Sequence, residues 1–558
     1  MIRDLKKMTS KSYDVVIVGG GITGACVARD AALRGLSVAL VEKKDFAHAT
    51  SAASSKLIHG GLRYLKNGEL RLVRESLRER RIWLTIAPHM VTPISFVVPT
   101  TGFGMKGRFL MSLALTFYDM LSYDRSRVDD PDKRIPSHYS LSREKTIALE
   151  PGLESKGLTG AMVFHDCQMY APERMTLECI RDAVAHGADV ANYAEVAEFT
   201  RQDKAITGVV VTDALDTGSS YTIHGRVVVN AAGPWADLLM GVLQGSEPAR
   251  RLIRSKGIHL ITRSLTNGNA ISVLTKTDHF FILPWRGHSL IGTTDVLYEG
   301  HPDDFRVTEE DIVQFLDLVN EGFPSAKLTR ADVLHAYGGL RPLVDTETKI
   351  KTESAVPKST YGASRAPEVF DHERHDGTQG AITTIGGKWT TSRALAERVV
   401  DLTLKKLGKS GVACETGRTP IFGGHVGRFS DFVREAIEKH SALPDNVVEN
   451  LARNYGSRMD EVAQLAEENT AYAESIAETL PDIVAQVIYA VRNEMALTLD
   501  DVLFRRTGLG TLGYPGSAAI EAVANAMAEE LGWDDARRDA EIESLATKFP
   551  STPLPATA

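Results

Sequence analysis

The pattern of apolar and polar positions near the start of the chain predicts a βαβ unit. Residues 13–21 form an apolar run that ends in glycines, which is typical of a buried parallel strand. Residues 22–34 carry the small and apolar positions of a helix, and Gly35 ends that pattern. A second apolar strand follows over residues 37–41 and is closed by Glu42.

Strand and helix patterns then mix as far as about residue 410. A long helix is predicted over residues 69–84, with apolar residues on one face and arginines on the other. Strand-like runs are predicted at residues 206–211, 226–230, 258–262, 280–284, 289–292 and 381–385. The last strand is followed by a predicted helix over residues 391–407.

A change of composition near residues 410–428 marks a domain boundary. This stretch contains Gly and Pro, strand patterns stop after it, and almost everything from Phe429 onward has a helical pattern. Acidic residues outnumber basic ones in this last part, whereas the preceding chain is mildly basic. The simplest interpretation is a small acidic helical domain appended to a larger body.

Composition narrows the class of protein. With 558 residues, 43% hydrophobic and 24% charged, the chain is too long for one core and has the balance of a folded enzyme. The four cysteines include no C-x-x-C pair, so neither a disulfide scaffold nor a metal is predicted. No basic stripe suggests nucleic acid, and no signal peptide is expected. The most apolar helical stretch, residues 109–121, is short of the roughly 20 residues of a membrane span.

The first strand ends in a G-x-G-x-x-G motif formed by Gly19, Gly21 and Gly24. Its position between a strand and a helix, with Glu42 ending the next strand, fits a dinucleotide-binding site. Gly19 permits the turn, Gly21 lets a pyrophosphate approach the helix N-terminus, and Gly24 allows close packing. Glu42 would accept hydrogen bonds from ribose hydroxyls. The alternative is a structural glycine-rich turn.

Three later segments favour FAD over NAD. They are a hydroxyl-rich stretch at residues 49–56, a strand with small residues at 227–235, and a strand, glycine turn and helix start at 383–390. A glycine turn that opens a helix can present N–H groups to a flavin carbonyl. Besides the motif residues, the predicted cofactor contacts are Thr50, Ser51, Ser54, Ser55, Lys56, Val196, Ala232, Gly233, Trp235, Gly387, Lys388, Trp389 and Thr390.

The sequence resembles the FAD-dependent glycerol-3-phosphate dehydrogenases, the flavoproteins that pass electrons to quinone. The specific string is Ser54-Ser-Lys-Leu-Ile-His-Gly-Gly-Leu-Arg-Tyr-Leu65. Further matching stretches, which extend the resemblance over about residues 12–545, lie at 256–259, 291–295, 337–343, 386–391 and 494–507. The resemblance implies oxidation of sn-glycerol 3-phosphate to dihydroxyacetone phosphate, with a quinone as electron acceptor.

It also implies that Arg63, Tyr64 and His259 hold the substrate phosphate, with Arg365 as a further candidate. Arginine suits this task because its planar fork can donate two hydrogen bonds to one anion.

Oxidation at C2 needs a base for the hydroxyl proton and a group that stabilises charge on its oxygen. Arg341 lies in a Gly-Gly-Leu-Arg-Pro turn and could bind that oxygen. His59 is the first choice for the base, since the ordinary pKa of histidine suits neutral pH. Lys388 competes for this role, or could instead stabilise negative charge on the reduced flavin.

A quinone acceptor would require contact with a membrane surface. The basic helical pattern of residues 63–81 and the cationic and apolar stretch 106–115 are candidates, although either is also compatible with a solvated face over a core. The expected location is cytoplasmic, at the inner face of the cell membrane, and a homodimer is expected. The alternatives are an oxidase that reduces O₂ to H₂O₂, an amino-acid-oxidase-like flavoenzyme, and a non-catalytic flavin-binding protein.

The expected fold class is α/β with three domains. A discontinuous FAD-binding Rossmann-type domain is predicted from residues 12–90, 145–255 and 375–410. An inserted, mostly antiparallel β substrate domain is predicted from residues 91–144 and 256–374. An all-α C-terminal domain is predicted over residues 420–545.

Overall fold

The computed structural model describes residues 1–66, 68–102, 107–216, 218–248, 251–275, 278–344 and 367–549, apart from the side chains of Arg63 and Lys66. The described strands are β1 (Ser12–Val18), β2 (Val38–Val41), β3 (Leu57–Ile58), β4 (Val91–Thr101), β5 (Tyr139–Ser142), β6 (Leu158–Met169), β7 (Asp189–Ala191), β8 (Ala194–Gln202), β9 (Ala205–Asp213), β10 (Ser220–Asn230), β11 (Leu252–Thr262), β12 (Ala270–Leu274), β13 (His279–Trp285), β14 (His288–Gly292), β15 (Val296–Tyr298), β16 (Val333–Val344), β17 (Glu368–Asp371) and β18 (Ala381–Ile385).

The described helices are α1 (Leu5–Thr9), α2 (Ile22–Leu33), α3 (Arg63–Lys66), α4 (Leu70–Ile86), α5 (Arg108–Leu121), α6 (Arg143–Leu149), α7 (Pro172–Ala185), α8 (Ala236–Gln244), α9 (Glu309–Gly322), α10 (His372–His375), α11 (Ser392–Lys406), α12 (Phe429–Lys439), α13 (Asp445–Tyr455), α14 (Met459–Glu468), α15 (Val484–Glu494), α16 (Leu499–Asp501), α17 (Ser517–Leu531) and α18 (Asp535–Ser544). A π-helical turn, Val502–Arg506, continues α16. Within the described ranges, no helix is long and apolar enough to span a bilayer.

The first sheet has a parallel centre in the order β18-β10-β1-β2-β7. Strand β17 adds antiparallel to β18, and the β8–β9 hairpin continues from the first half of β10. Helices α2, α7 and α11 pack together over one face. The apolar runs of β1, β2 and β10 are fully buried because both faces of this sheet are covered.

The carboxyl ends of β1, β2 and β10 meet at one edge of this sheet. Gly19 N donates to Val41 O at 2.8 Å, and Ala231 N donates to Val18 O at 2.8 Å. The glycine turn, Glu42 and the residues after β10 therefore share the crevice where open α/β sheets bind their ligands.

The second sheet runs in the order β15-β11-β14-β13-β12-β4-β6-β3, with β16 beside β11 and β5 beside β6. Its strand pairs are antiparallel except for β4 and β12. Helix α9 packs against its buried face. The predicted α/β fold with a mostly antiparallel second domain is confirmed.

Three assignments of the predicted domains need correction. Strand β17 lies in the predicted substrate segment 256–374 but pairs with β18 of the first sheet, and β3 lies in the predicted FAD-binding segment 12–90 but pairs with β6 of the second sheet. The segment 145–255 includes β6, yet β6 pairs with β3, β4 and β5 in the second sheet. The apolar pattern of β6 reports burial but not the partner strand, so its sheet could not be read from that pattern.

The chain after residue 428 is helical, as predicted, with two apolar clusters of its own. It is joined to the first domain by buried ion pairs. Glu494 of α15 accepts from Arg174 at 2.7 and 3.0 Å and from Arg181 at 2.6 Å, both on α7. Asp45, just after β2, accepts from Arg506 at 2.7 and 2.8 Å and from Arg505 at 2.5 Å.

Candidate active site

The glycine motif forms a tight turn that only glycine fits. Gly19 has φ +111°, and a Cβ there would lie 2.6 Å from the carbonyl oxygen of Ala231. A Cβ on Gly24 would lie 1.9 Å from the carbonyl oxygen of Gly19, so Gly24 lets α2 pack onto the turn. The backbone of the turn is thereby brought against the crevice at the N-terminus of α2.

Glu42 closes the same turn from β2. Its carboxylate accepts from Gly20 N at 2.7 Å and from Lys44 N at 3.0 Å. Burial raises the pKa of Glu42 to about 7. His48 lies 3.4 Å from the Glu42 carboxylate, and burial followed by the charge of Arg505 lowers the pKa of His48 to about 3. This end of the crevice therefore presents a carboxyl group that is only partly ionised at pH 7, beside a neutral imidazole.

Two residues that were not predicted, Lys43 and Asp303, close this end together with the predicted Trp235. The Lys43 ammonium lies 4.3 Å above the Trp235 ring and 2.5 Å from the Asp303 carboxylate. The indole N–H of Trp235 donates to the same carboxylate at 3.0 Å. Asp303 comes from the segment between β15 and α9, so it bridges the two sheets. No sequence pattern signals a contact between positions so far apart.

Most of the predicted site residues line one cleft of about 1910 Å³. They are Gly19, Gly21, Glu42, Thr50, Ser51, Ser54, Ser55, His59, Tyr64, Val196, Ala232, Gly233, Trp235, His259, Arg341, Gly387, Lys388, Trp389 and Thr390. This volume exceeds the roughly 300–1,000 Å³ of ordinary small-molecule pockets. The cleft can therefore hold a dinucleotide together with a second, smaller molecule.

At the far end of the cleft, a second glycine turn follows β18. Gly386 and Gly387 have φ of +70° and +96°, and Lys388 follows them. The Lys388 ammonium lies 4.6 Å from the centre of the buried Tyr64 ring. A Cβ on Gly61 would lie 3.5 Å from the Lys388 nitrogen. The predicted flavin turn is thus packed beside the segment that follows His59.

His59 is half-buried at the edge of the cleft. Its backbone N–H donates to Thr390 Oγ1 at 3.2 Å, so the segment carrying His59 is joined directly to the start of the glycine turn's helix. Ser51 Oγ accepts from Ile22 N at 2.9 Å, and Thr50 Oγ1 donates to Leu340 O at 2.7 Å. These bonds hold the hydroxyl-rich segment between the two domains.

Arg341 enters the cleft from β16 and is fixed by β11 and the segment after β14. Its guanidinium donates to Thr293 Oγ1 at 2.7 Å, to Ser255 Oγ at 3.1 Å and to Thr294 O at 3.2 Å. A Cβ on Gly257 would lie 2.0 Å from one of its terminal nitrogens. Gly257 therefore leaves the space that the guanidinium occupies.

His259 is buried on β11 and neutral. Its ring stacks on Tyr337 with centroids 4.9 Å apart, and Nε2 lies 2.9 Å from Ser55 Oγ. Burial, followed by the charges of Arg341 and Lys56, lowers the pKa of His259 well below its ordinary value. This favours the neutral imidazole, which can offer a hydrogen bond to an anion.

Two predicted residues do not line this cleft, and two others lie, wholly or by their side chain, outside the described part of the structure. Gly24 packs behind the turn and does not line it. Lys56 points away: it is 2% exposed, with its ammonium 3.5 Å from Glu173 and 4.6 Å from the Trp285 ring centre. Arg63 begins α3, but its side chain is outside the described part of the structure. Arg365 lies outside the described residues.

Comparisons with known proteins cover nearly the whole chain. The family model for FAD-dependent oxidoreductases matches residues 14–393, and the model for the C-terminal domain of alpha-glycerophosphate oxidase matches residues 414–538. A glycerol-3-phosphate dehydrogenase of Synechocystis is 34% identical, with 97% of both chains covered.

An aerobic glycerol-3-phosphate dehydrogenase of Staphylococcus aureus is also 34% identical, with 97% of this chain and 95% of that protein covered. The crystal structure of glycerol-3-phosphate dehydrogenase from Bacillus halodurans complexed with FAD has a TM-score of 0.78. It is 31% identical to this chain, with 99% of this chain and 98% of that one covered.

Proposed function

Because the chain belongs to the family of FAD-dependent glycerol-3-phosphate dehydrogenases, we propose that it oxidises sn-glycerol 3-phosphate to dihydroxyacetone phosphate and passes the electrons to a membrane quinone. The cofactor is FAD, as the glycine motif and the three later segments predicted. The observation that carries the proposal is the single cleft, which joins the dinucleotide crevice to His59, Arg341 and Lys388.

FAD supplies a hydride acceptor when bound, and the residues of the chain bind it and orient the substrate. Gly19, Gly21 and Glu42 would hold the adenosine and pyrophosphate part. Gly387 and Lys388 would lie at the ring, where a backbone N–H and an ammonium favour negative charge. The packing of Lys388 against the Gly61 turn supports this, since it brings the ring end of the cleft to the substrate residues.

The substrate phosphate is assigned to Tyr64, His259 and Arg63. Tyr64 and His259 both line the cleft, and neutral His259 would donate a hydrogen bond rather than supply charge. The cation then has to come from arginine, whose planar fork suits a phosphate dianion. Arg63 is the first candidate on the sequence pattern, and Arg365 the second.

Oxidation moves a hydride from C2 to the flavin and a proton from the C2 hydroxyl to a base. Arg341 would bind the C2 oxygen, and its fixed guanidinium would stabilise the negative charge that develops there. His59 is the proposed base, because it lines the cleft and an imidazole titrates near neutral pH. Lys388 would then stabilise charge on the reduced ring.

A quinone acceptor is supported by the surface of α5. Phe109, Leu113 and Met120 are 84%, 58% and 65% exposed, and their spacing puts them on one face of the helix. Leu113 also lines the main cleft, so apolar surface continues from outside to the site. A neighbouring cleft at the end of α5 is lined by Arg71 and Arg78 of α4, whereas its other described arginines include ones paired with Asp124 and Glu75. An apolar helix face beside arginines suits a bilayer with anionic lipids.

This arrangement would place the enzyme in the cytoplasm, bound to the inner face of the cell membrane. The homodimer expected from the sequence stays a prediction.

One anaerobic experiment tests the reaction. The purified holoenzyme is mixed with glycerol 3-phosphate, and its visible flavin absorption is followed. Bleaching is expected, and glycine as substrate should leave the bands unchanged. A soluble quinone and O₂ are then added to separate samples. Fast recovery of the bands with the quinone and slow recovery with O₂ is the expected result. Fast recovery with O₂ alone would make the protein an oxidase, and no bleaching would reject the substrate.

Two variants separate the proposed base from its competitor. His59→Asn should slow flavin reduction by about 10²- to 10⁴-fold, as loss of a general base does. Lys388→Met should still permit proton transfer and should mainly shift the redox potential of the flavin. If instead Lys388→Met abolishes reduction and His59→Asn does not, the roles are exchanged.

A further inference from the structure

A buried carboxylate outside the predicted site contacts the segment that carries His59. Asp166, on β6, is 3% exposed. It accepts a hydrogen bond from the backbone N–H of Gly60 at 3.2 Å. It also accepts from the Tyr118 hydroxyl, with both carboxylate oxygens 3.0 Å away, and from Arg80. The carboxylate therefore connects β6, α4 and α5 to the residue next to the proposed base.

The His59–Gly60 segment is held from two sides. His59 N donates to Thr390 Oγ1, and Gly60 N donates to Asp166 Oδ1, each at 3.2 Å. A Cβ on Gly60 would lie 2.2 Å from the Tyr118 hydroxyl oxygen and 2.3 Å from a methyl carbon of Leu77. The segment is thus packed directly on α4 and α5, and it cannot turn about its own axis without losing these contacts.

Asp166 does more than neutralise the charge of Arg80, because it also accepts hydrogen bonds from Tyr118 and Gly60. Arg80 has further partners of its own, since it donates to Ser122 Oγ at 2.8 Å and to the carbonyl of His165 at 3.0 Å. If the carboxylate served only to neutralise Arg80, it would need neither the tyrosine hydroxyl nor the Gly60 amide. Asp166 also lines the main cleft, so this network reaches the same cleft that His59 lines.

We propose that Asp166 is a positioning residue of the reaction: it fixes the Gly60 peptide and thereby the His59 imidazole, and Tyr118 fixes Asp166. This inference rests on the proposed function, in which His59 takes the substrate proton. A base contributes fully only within hydrogen-bond reach of that proton, and a displacement of about 1 Å can cost about 10²-fold in rate.

Tyr118→Phe and Asp166→Asn in the holoenzyme test the proposal. Tyr118→Phe removes one donor and keeps the Arg80–Asp166 pair, so it should fold normally. We expect the rate of flavin reduction by glycerol 3-phosphate to fall about 10-fold in Tyr118→Phe and about 10²-fold in Asp166→Asn. The loss should be in kcat and not in KM, the affinity for FAD should not change, and the acid limb of the pH–rate profile should move.

The matched control is Asp124→Asn. Asp124 lies just beyond α5 and accepts from Arg74 of α4 at 3.0 Å with both oxygens, but it does not touch Gly60. In Asp124→Asn, glycerol 3-phosphate should reduce the flavin at the wild-type rate. A purely structural network would lower thermal stability in all three variants and leave kcat and its pH profile unchanged, and that result would overturn the proposal.

A second readout does not depend on turnover. The NMR resonances of His59, assigned by their loss in His59→Asn, should shift in Tyr118→Phe and Asp166→Asn and stay in place in Asp124→Asn. Unchanged His59 resonances in both test variants would reject the positioning role. If wild-type flavin is not reduced by glycerol 3-phosphate, the proposed function fails, and these resonances still decide whether Asp166 positions His59.

Discussion

At the scale of single residues, glycines decide where the functional side chains can lie. Gly19 and Gly24 allow the dinucleotide turn, and Gly60 and Gly257 leave room for Tyr118 and Arg341. The first two positions are predictable from the motif, because their spacing is tied to a known backbone shape. Gly257 could not be predicted in this way. The Arg341 guanidinium, which comes from β16, fills the space of the missing Cβ, and no local pattern reveals that contact.

Replacing Gly257 tests the role of Arg341 without touching its charge. In Gly257→Ala the new methyl group would occupy the place of the guanidinium, so Arg341 must move away from Thr293. We expect kcat/KM for glycerol 3-phosphate to fall about 10²- to 10³-fold, as for the loss of one donor at an oxyanion. The FAD content should be unchanged. Gly417→Ala, whose methyl group would meet its nearest atom at 3.6 Å, serves as the control and should keep wild-type kinetics.

Glu42 predicts a pH dependence of the apoprotein. Its pKa is about 7 in the fold, against an ordinary value of 4.5. Between pH 4.5 and pH 7, Glu42 is mostly ionised in the unfolded chain but mostly protonated in the folded protein. The free energy of unfolding therefore falls as the pH rises. The full difference corresponds to about 3 kcal/mol.

Urea unfolding of the apoprotein at pH 5 and pH 7 measures this effect. Glu42→Gln should not lose stability in this way between pH 5 and pH 7. Its free energy of unfolding relative to that of the wild type should therefore be higher at pH 7 than at pH 5. Glu42→Gln should also bind FAD more weakly, since it lacks the carboxylate that we propose accepts from the ribose hydroxyls. Glu449→Gln removes an exposed carboxylate on α13 and is the control. An equal difference between wild type and Glu42→Gln at both pH values would contradict the raised pKa.

At the scale of elements, predictions succeeded where a pattern is local. The βαβ unit, the helix after β18 and the helical C-terminal part were all predicted from apolar periodicity. The membership of β6 was not, because the buried face of a strand does not identify its neighbour. Asp166 was missed for the same reason: its function depends on β6 lying beside α4 and α5.

Helix α5 is the surface that we expect to attach the protein to the membrane. Phe109→Ser together with Met120→Ser removes two of its most exposed apolar side chains, neither of which lines the cleft. We expect weaker binding to vesicles that contain anionic lipid and slower reduction of a membrane quinone. Flavin reduction by glycerol 3-phosphate in solution should be unchanged.

The control for α5 is the pair Val313→Ser and Leu334→Ser, two exposed apolar residues on α9 and β16. This variant should bind vesicles as the wild type does. If both double variants sediment equally with vesicles, α5 is not the attachment surface.

At the scale of the whole molecule, the C-terminal domain supports the crevice that we propose holds the cofactor. Asp45 lies three residues after Glu42 and three before His48, and it is completely buried. Although burial opposes its ionisation, Arg506 and Arg505 hold the pKa of Asp45 below its ordinary value. The segment that carries Glu42, the proposed ribose-binding residue, is therefore anchored from the helical domain. The sequence predicted the domain from composition but gave no contact for it.

Two variants that break buried ion pairs between the same domains separate anchoring from general stability. Asp45→Asn and Glu494→Gln should each destabilise the protein by about 3–5 kcal/mol, because each leaves buried arginines without a charged partner. Only Asp45→Asn disturbs the segment between Glu42 and His48.

We therefore expect the Kd for FAD, measured by flavin fluorescence, to rise about tenfold or more in Asp45→Asn, which is about 1.4 kcal/mol of binding energy. Glu494→Gln should change this Kd much less, since the Glu494 carboxylate pairs closely with Arg174 and Arg181 on α7 and lies 4.0 Å from Arg506, which keeps its hydrogen bonds to Asp45. An equal loss of FAD affinity in both variants would mean that the helical domain acts on the cofactor only through overall stability.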